Sequence, residues 1–133
     1  MVCGLTIGIL ANSKTHGGRG MGMPKPTRPT LKQDRAAKKR LRNKLDKEWS
    51  EAVRERDGNV CKKCGSTKAL NGAHIFGKKA HPATRHDVEN GICLCWPCHV
   101  WWGHQEPVEF YDFVLKRMGK KRLDALRRRA NTT

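Results

Sequence analysis

Apolar positions first fall into a helical rhythm in residues 31–57. Leu41, Leu45, Trp49, Ala52 and Val53 recur at the spacing of one helix face, and Asp57-Gly58 supplies a stop. The positions between them hold Lys38, Lys39, Arg40, Arg42, Lys44 and Lys47. Such a face is either solvated or an arm for phosphates, and the two readings are compatible. PVEFYDFVLKRM predicts a second helix over 107–118, with Pro107 in its first turn and Gly119 at its end. Its apolar face is read as Val108, Tyr111, Val114, Leu115 and Met118. KKRLDALRRRA predicts a short basic helix with Leu123 and Leu126 inward. THGGRGMGMPKPTRP is rich in glycine, proline and basic residues, which favours a disordered basic tail over 1–30. The pattern thus divides the chain into 1–30, 31–57, 58–104 and 105–133, without internal repeats.

Charge narrows the partners. The 133 residues carry a formal net charge of +16 and a pI near 10.1, an excess that fits an anionic partner, nucleic acid above all. The opening VCGLTIGIL is too short to span a bilayer, and it lacks the flanks of a signal peptide. No membrane partner and a cytoplasmic location are therefore expected.

The six cysteines refine this picture. Cys61-Lys62-Lys63-Cys64 and Cys95-Trp96-Pro97-Cys98 are matched Cys-x-x-Cys pairs, spaced as metal ligands of a reducing compartment rather than as disulfides. Each pair can place two thiolates on one ion, and together they complete the tetrahedral set of a structural zinc. Gly65 permits the sharp turn after the first pair. Cys93 is read as a small buried residue and Cys3 as a free thiol. Four of the six histidines, His74, His81, His86 and His99, lie between or beside these pairs. Trp96, Trp101 and Trp102 surround the second pair and are read chiefly as core.

GAHIFG, a basic loop, DVENGICLC and PCHVWW follow one another within the frame CKKCG…LCWPCH. This order resembles the HNH (ββα-metal) endonucleases of the zinc-bearing branch, over about residues 49–104. The tail DFVLKRMGKKRLDALRRRA more loosely resembles phage recombination proteins of the NinG group. The resemblance implies an α+β fold: a β-hairpin and helix stapled by zinc and flanked by basic helices. Strands are expected near 70–76 and 91–95, with the helix starting near Pro97. It also implies hydrolysis of DNA phosphodiester bonds with a second divalent ion, Mg²⁺, Mn²⁺ or another. A phage or prophage origin follows from the same likeness.

Site roles carry over by motif. His74 becomes the general base, whose ordinary pKa suits proton transfer near neutrality. Asn90 orients it through hydrogen bonds that fix the hairpin loop. His99 binds the catalytic ion. Many family members place a metal-binding aspartate directly before the base, where this chain has Ala73. His81 and Asp87 are the first candidates to fill that gap and His86 a lesser one, with Asp87 read first as stabilising the loop. Lys78, Lys79 and Arg85 are placed to hold phosphates, Arg85 being the preferred clamp. DNA is the expected partner, and a second copy of the chain or phage DNA-processing proteins are further candidates.

Two other readings stay open. The zinc scaffold and its charge also suit a non-catalytic module for branched DNA, with Ala73 marking lost activity. A basic zinc protein of the ribosome or of RNA would explain charge and cysteines but not the order His74, Asn90, His99. Taken singly, each residue has a plain explanation: Asn90-Gly91 is a good turn pair, and His99 could serve the zinc site.

Overall fold

The computed structural model describes residues 22–132. The expectations for Cys3 and for most of the tail fall outside them. Residues 22–30 carry no regular element and are exposed. Residues 34–133 group as one compact unit, so the basic helix, the cysteine-rich segment and the C-terminal helices pack together.

Helix α1 spans Leu31–Arg56. It opens with a capping box: the Thr30 amide donates to Gln33 Oε1 (2.8 Å) and the Gln33 amide to Thr30 Oγ1 (3.3 Å). It stops where Gly58 and Asn59 take positive φ, 76° and 56°. Only the second half of the expected apolar stripe is covered. Trp49 and Val53 are buried, whereas Leu41 is 58 % exposed, because no described residue covers it.

Strands β1 (Leu70–His74) and β2 (Gly91–Cys95) form an antiparallel hairpin whose register pairs Leu70 with Cys95 and His74 with Gly91. The intervening segment makes two short 3₁₀ turns, Pro82–Thr84 and Val88–Asn90. Helices α2 (Trp96–His104), α3 (Pro107–Met118) and α4 (Lys120–Ala130) follow. The α+β architecture is therefore the expected one: a two-stranded sheet, a helix directly after it, and flanking helices.

Side chains of a strand alternate between faces, and both faces of this hairpin are covered. Ala73, Ile92 and Leu94 join Trp102, with Phe110 and Phe113 packed against them. This corrects the expected face of α3, since Val108 is 72 % and Tyr111 43 % exposed while Val114 is buried. The other face receives α1. There a Cβ on Gly91 would meet both Trp49 and Val53 at 2.6 Å, and one on Gly72 would meet Trp49 at 2.9 Å. Glycine at these positions lets the helix approach the hairpin closely enough for the Ser50 hydroxyl to accept from the Gly72 amide at 3.1 Å.

Asp57 ties three elements together at the end of α1. Its carboxylate accepts from both Nε and Nη2 of Arg56 (3.0 Å each), from Arg117 of α3, and from the Cys93 amide of β2 at 2.9 Å. Burial alone would raise its pKa, but Arg56, the Cys93 amide and Arg117 outweigh it and hold the carboxyl below the ordinary range. Asp57→Ala is expected to cost about 1–3 kcal/mol, since it leaves the buried Cys93 amide without its acceptor, whereas Arg56 and Arg117 can turn to solvent. The folded pKa lies below the unfolded one. Asp57's contribution is therefore complete above about pH 4 and is lost as pH falls toward the folded value. Thermal unfolding of wild type and variant between pH 7 and pH 3 checks this: the two melting temperatures should converge in acid.

Candidate active site and metal centre

The first cysteine pair sits in a knuckle closed by the Gly65 amide on the Cys61 carbonyl (2.8 Å), with Gly65 at φ 78°. The second straddles the end of β2 and the first turn of α2. Hairpin register carries the pairs together, and all four sulfurs lie within 4.8 Å of one another. Cys64 and Cys95 sulfurs are 3.6 Å apart. Thiolates on a tetrahedral zinc would be about 3.8 Å apart, so the four residues fit such an ion. Burial opposes ionisation of Cys61, but the main-chain amides of Cys64, Cys95 and Lys63 bring its pKa down to about 6. Burial and the neighbouring sulfurs push Cys98 upward, a penalty that a bound cation would relieve. Cys93 is buried apart from this cluster.

A cleft of about 390 Å³ lies beside the hairpin, lined by His74, His99, Asp46, Trp49 and Lys78 among others. His74 ends β1. Its ring stacks on Trp49 at 3.9 Å with planes 8° apart, and Trp49 is itself held by its Nε1–H donating to the Asp87 carbonyl at 2.8 Å. His74 Nε2 lies 2.9 Å from the Arg85 carbonyl. A carbonyl only accepts, so Nε2 carries the hydrogen and Nδ1 keeps its lone pair. Burial lowers the His74 pKa, which keeps the ring neutral.

Asn90 is wholly buried. Its Nδ2 donates to the carbonyls of Phe76 and Thr84 (3.0 Å each), and its Oδ1 accepts from the Phe76 amide at 2.7 Å. It pins both ends of the loop that presents the Arg85 carbonyl. His99 stands in the first turn of α2, one residue after Cys98. Its Nδ1 is buried with no hydrogen-bond partner among the described residues, and burial holds its pKa down. An uncharged imidazole with an orphaned nitrogen beside a cleft suits a metal ligand.

The other expected site residues are placed differently. His81 Nδ1 meets the Ala130 carbonyl at 3.3 Å and its ring edge meets Phe76, away from the cleft. Asp87 caps the Val88–Asn90 turn, accepting from the Glu89 amide at 3.0 Å, and pairs with Arg129 at 3.0 Å. Neither lines the cleft. Ala73 packs in the core behind the hairpin. The Arg85 guanidinium is not a free clamp, because Asp46 binds it through both carboxylate oxygens at 2.8 and 2.6 Å. His86 Nε2 joins the same carboxylate at 2.8 Å. Lys79 is exposed.

Asp46 is the residue that sequence reasoning missed. It is the one carboxylate among the cleft's lining residues, and Arg85 first, then His86, hold its pKa well below the carboxylate range. Its signal was faint: a lone acid in a basic stretch, three residues before the stripe's Trp49 and so on a neighbouring helix position. The tryptophans also divide. Trp102 is buried, while Trp96 is 61 % and Trp101 43 % exposed.

A hairpin and a following helix closed by a four-cysteine cluster, with His74 and His99 lining one cleft, have the architecture of the ββα-metal class of domain. Residues 59–106, just over a third of the chain, match the family model described as HNH endonuclease. No curated protein matches the chain, and no solved structure matches it.

Proposed function

We propose that the protein is a divalent-metal-dependent endonuclease that hydrolyses DNA phosphodiester bonds, with zinc in the four-cysteine site as a structural staple. What supports this reading is that one cleft is lined by both His74, whose Nε2 is hydrogen-bonded and whose Nδ1 keeps its lone pair, and His99, whose Nδ1 has no hydrogen-bond partner among the described residues. His74 Nδ1 takes a proton from water as that water attacks phosphorus, and the opposite P–O bond breaks. Asn90 and the Arg85 carbonyl hold the base in its productive tautomer. A divalent ion bound through His99, Mg²⁺, Mn²⁺ or another that accepts imidazole, would supply charge stabilisation at the phosphate and leaving oxygens. Lys78 borders the cleft and offers a cation to the scissile phosphate or its neighbour.

Backbone contacts come chiefly from α1. Lys32, Arg35, Lys38, Lys39, Arg40, Arg42, Lys44 and Lys47 are all exposed, and none of them is in an ion pair among the described residues. The C-terminal helices contribute less, because Arg117, Arg122 and Arg129 are engaged with Asp57, Asp87 and Glu89. Affinity for duplex DNA should therefore fall by about 10³–10⁵ between 50 and 200 mM salt if six to ten phosphates are neutralised. Joint replacement of Lys38, Lys39 and Arg40 by alanine should flatten the log–log slope by about 2–3. Fluorescence anisotropy titrations measure both, and a salt-independent affinity would remove α1 as the binding surface.

The activity itself is tested by incubating the protein with supercoiled plasmid and Mg²⁺ or Mn²⁺. Conversion to nicked or linear DNA that a chelator stops is the expected result. Plasmid that is bound and retarded but never cut would favour a non-catalytic DNA-binding module on the same scaffold.

A further inference from the structure

We propose that Asp46 is a positioning residue for the base, acting on His74 through Arg85. The role deepens the nuclease reading and rests on it. Asp46 lies on α1, outside the residues that match the HNH family model, yet its carboxylate borders the same cleft as His74. It grips the Arg85 guanidinium with both oxygens, at 2.8 and 2.6 Å, and takes a third bond from His86 at 2.8 Å.

The consequence lies in the main chain. The Arg85 carbonyl is the group that binds His74 Nε2 at 2.9 Å and so decides which ring nitrogen carries the hydrogen. Asn90 fixes this loop at Thr84 and Phe76, but no Asn90 bond reaches Arg85 or His86. Asp46 supplies the missing anchor, clamping two consecutive side chains, Arg85 and His86, to α1. A planar guanidinium on a bidentate carboxylate leaves little freedom, so the carbonyl of the same residue is held at one distance from the imidazole. One helical turn on, Trp49 lies flat on the His74 ring and binds the Asp87 carbonyl, two residues after Arg85. Helix α1 therefore grips the base both directly, through Trp49, and through its partner carbonyl, through Asp46. The acid that Ala73 cannot supply thus returns in a different role, orienting the base from a neighbouring helix.

The test combines cleavage kinetics with nitrogen NMR of the His74 ring in the zinc-loaded full chain. Wild type should show His74 as the single Nε2–H tautomer. Asp46→Ala should mix the tautomers and lower kcat on the order of 100-fold with little change in KM, as expected when a catalytic group is misplaced by about 1 Å. Asp46→Glu should restore the single tautomer and much of the rate. Arg85→Gln removes the other end of the bridge and gives an independent route to the same signature. The double variant Asp46→Asn/Arg85→Gln should be no worse than the more impaired single variant, because both act through one bridge. Should wild type cleave nothing while Asp46→Ala still mixes the tautomers, the positioning role stands and the nuclease reading falls. A single Nε2–H tautomer and wild-type kcat in both Asp46→Ala and Arg85→Gln would overturn the proposal.

Discussion

Replacing His74 by alanine is expected to lower the rate of DNA cleavage by about 10²–10⁴-fold, the usual contribution of a general base. Zinc content and DNA affinity should stay near wild type. The four-cysteine cluster takes no ligand from His74, and the exposed lysines of α1 lie outside the cleft. The lost ring does remove a stacked partner of Trp49, a contact worth about 0.5–1.5 kcal/mol, so a small drop in melting temperature should accompany the kinetic loss. The pH dependence carries a second signature. Burial lowers the His74 pKa, so the neutral base persists to more acid pH than an ordinary histidine allows. The acid limb of the single-turnover rate should therefore lie below the ordinary histidine value and vanish from the residual rate of His74→Ala. Rapid-quench measurement across pH 5 to 8 reads both effects.

Removing the metal from the four-cysteine site is expected to unfold the hairpin region. Structural zinc contributes about 10–16 kcal/mol in small zinc domains, which equals or exceeds the about 5–15 kcal/mol that whole domains possess. Here the dependence should be strong, because the two cysteine pairs close the base of the hairpin and Cys61 and Cys95 are themselves part of the core with Ile92, Leu94 and Trp102. Without the ion, four sulfurs within 4.8 Å cannot ionise together, and the core loses its closure. Metal analysis should find one zinc per chain. Chelation, or Cys98→Ser, should abolish the cooperative melt seen by circular dichroism. An unchanged melt in protein shown to be free of metal would contradict the staple.

The cysteine cluster and the histidines of the candidate site are legible in the chain because their signals are local. Cys-x-x-Cys pairs declare themselves by spacing, and His74, Asn90 and His99 are separated by elements whose turn and helix signals are strong, Asn90-Gly91 and Pro97 among them. What escaped was long-range. Asp46 meets Arg85 across 39 residues and Trp49 meets Asp87 across 38, and no periodicity encodes such pairings. Arg85 read as a phosphate clamp because its partner was out of sight. Helix faces are hard to read from spacing for a related reason. Helical spacing makes Leu41 and Val108 look buried, but burial needs a neighbour: among the described residues none covers Leu41, and α3 turns Phe110, Phe113 and Val114 inward instead. Residue type alone makes His81 a candidate ligand, and its ring is occupied by the end of α4.

The proposal that the cleft hydrolyses DNA is tested most directly by setting wild type and His74→Ala side by side on supercoiled plasmid, zinc-loaded and with added Mn²⁺ or Mg²⁺. Cutting by wild type alone, with both proteins binding the DNA equally, is the expected result. Equal cutting by both proteins, or binding by both with no cutting by either, would contradict the assignment of His74 and this cleft to phosphodiester hydrolysis.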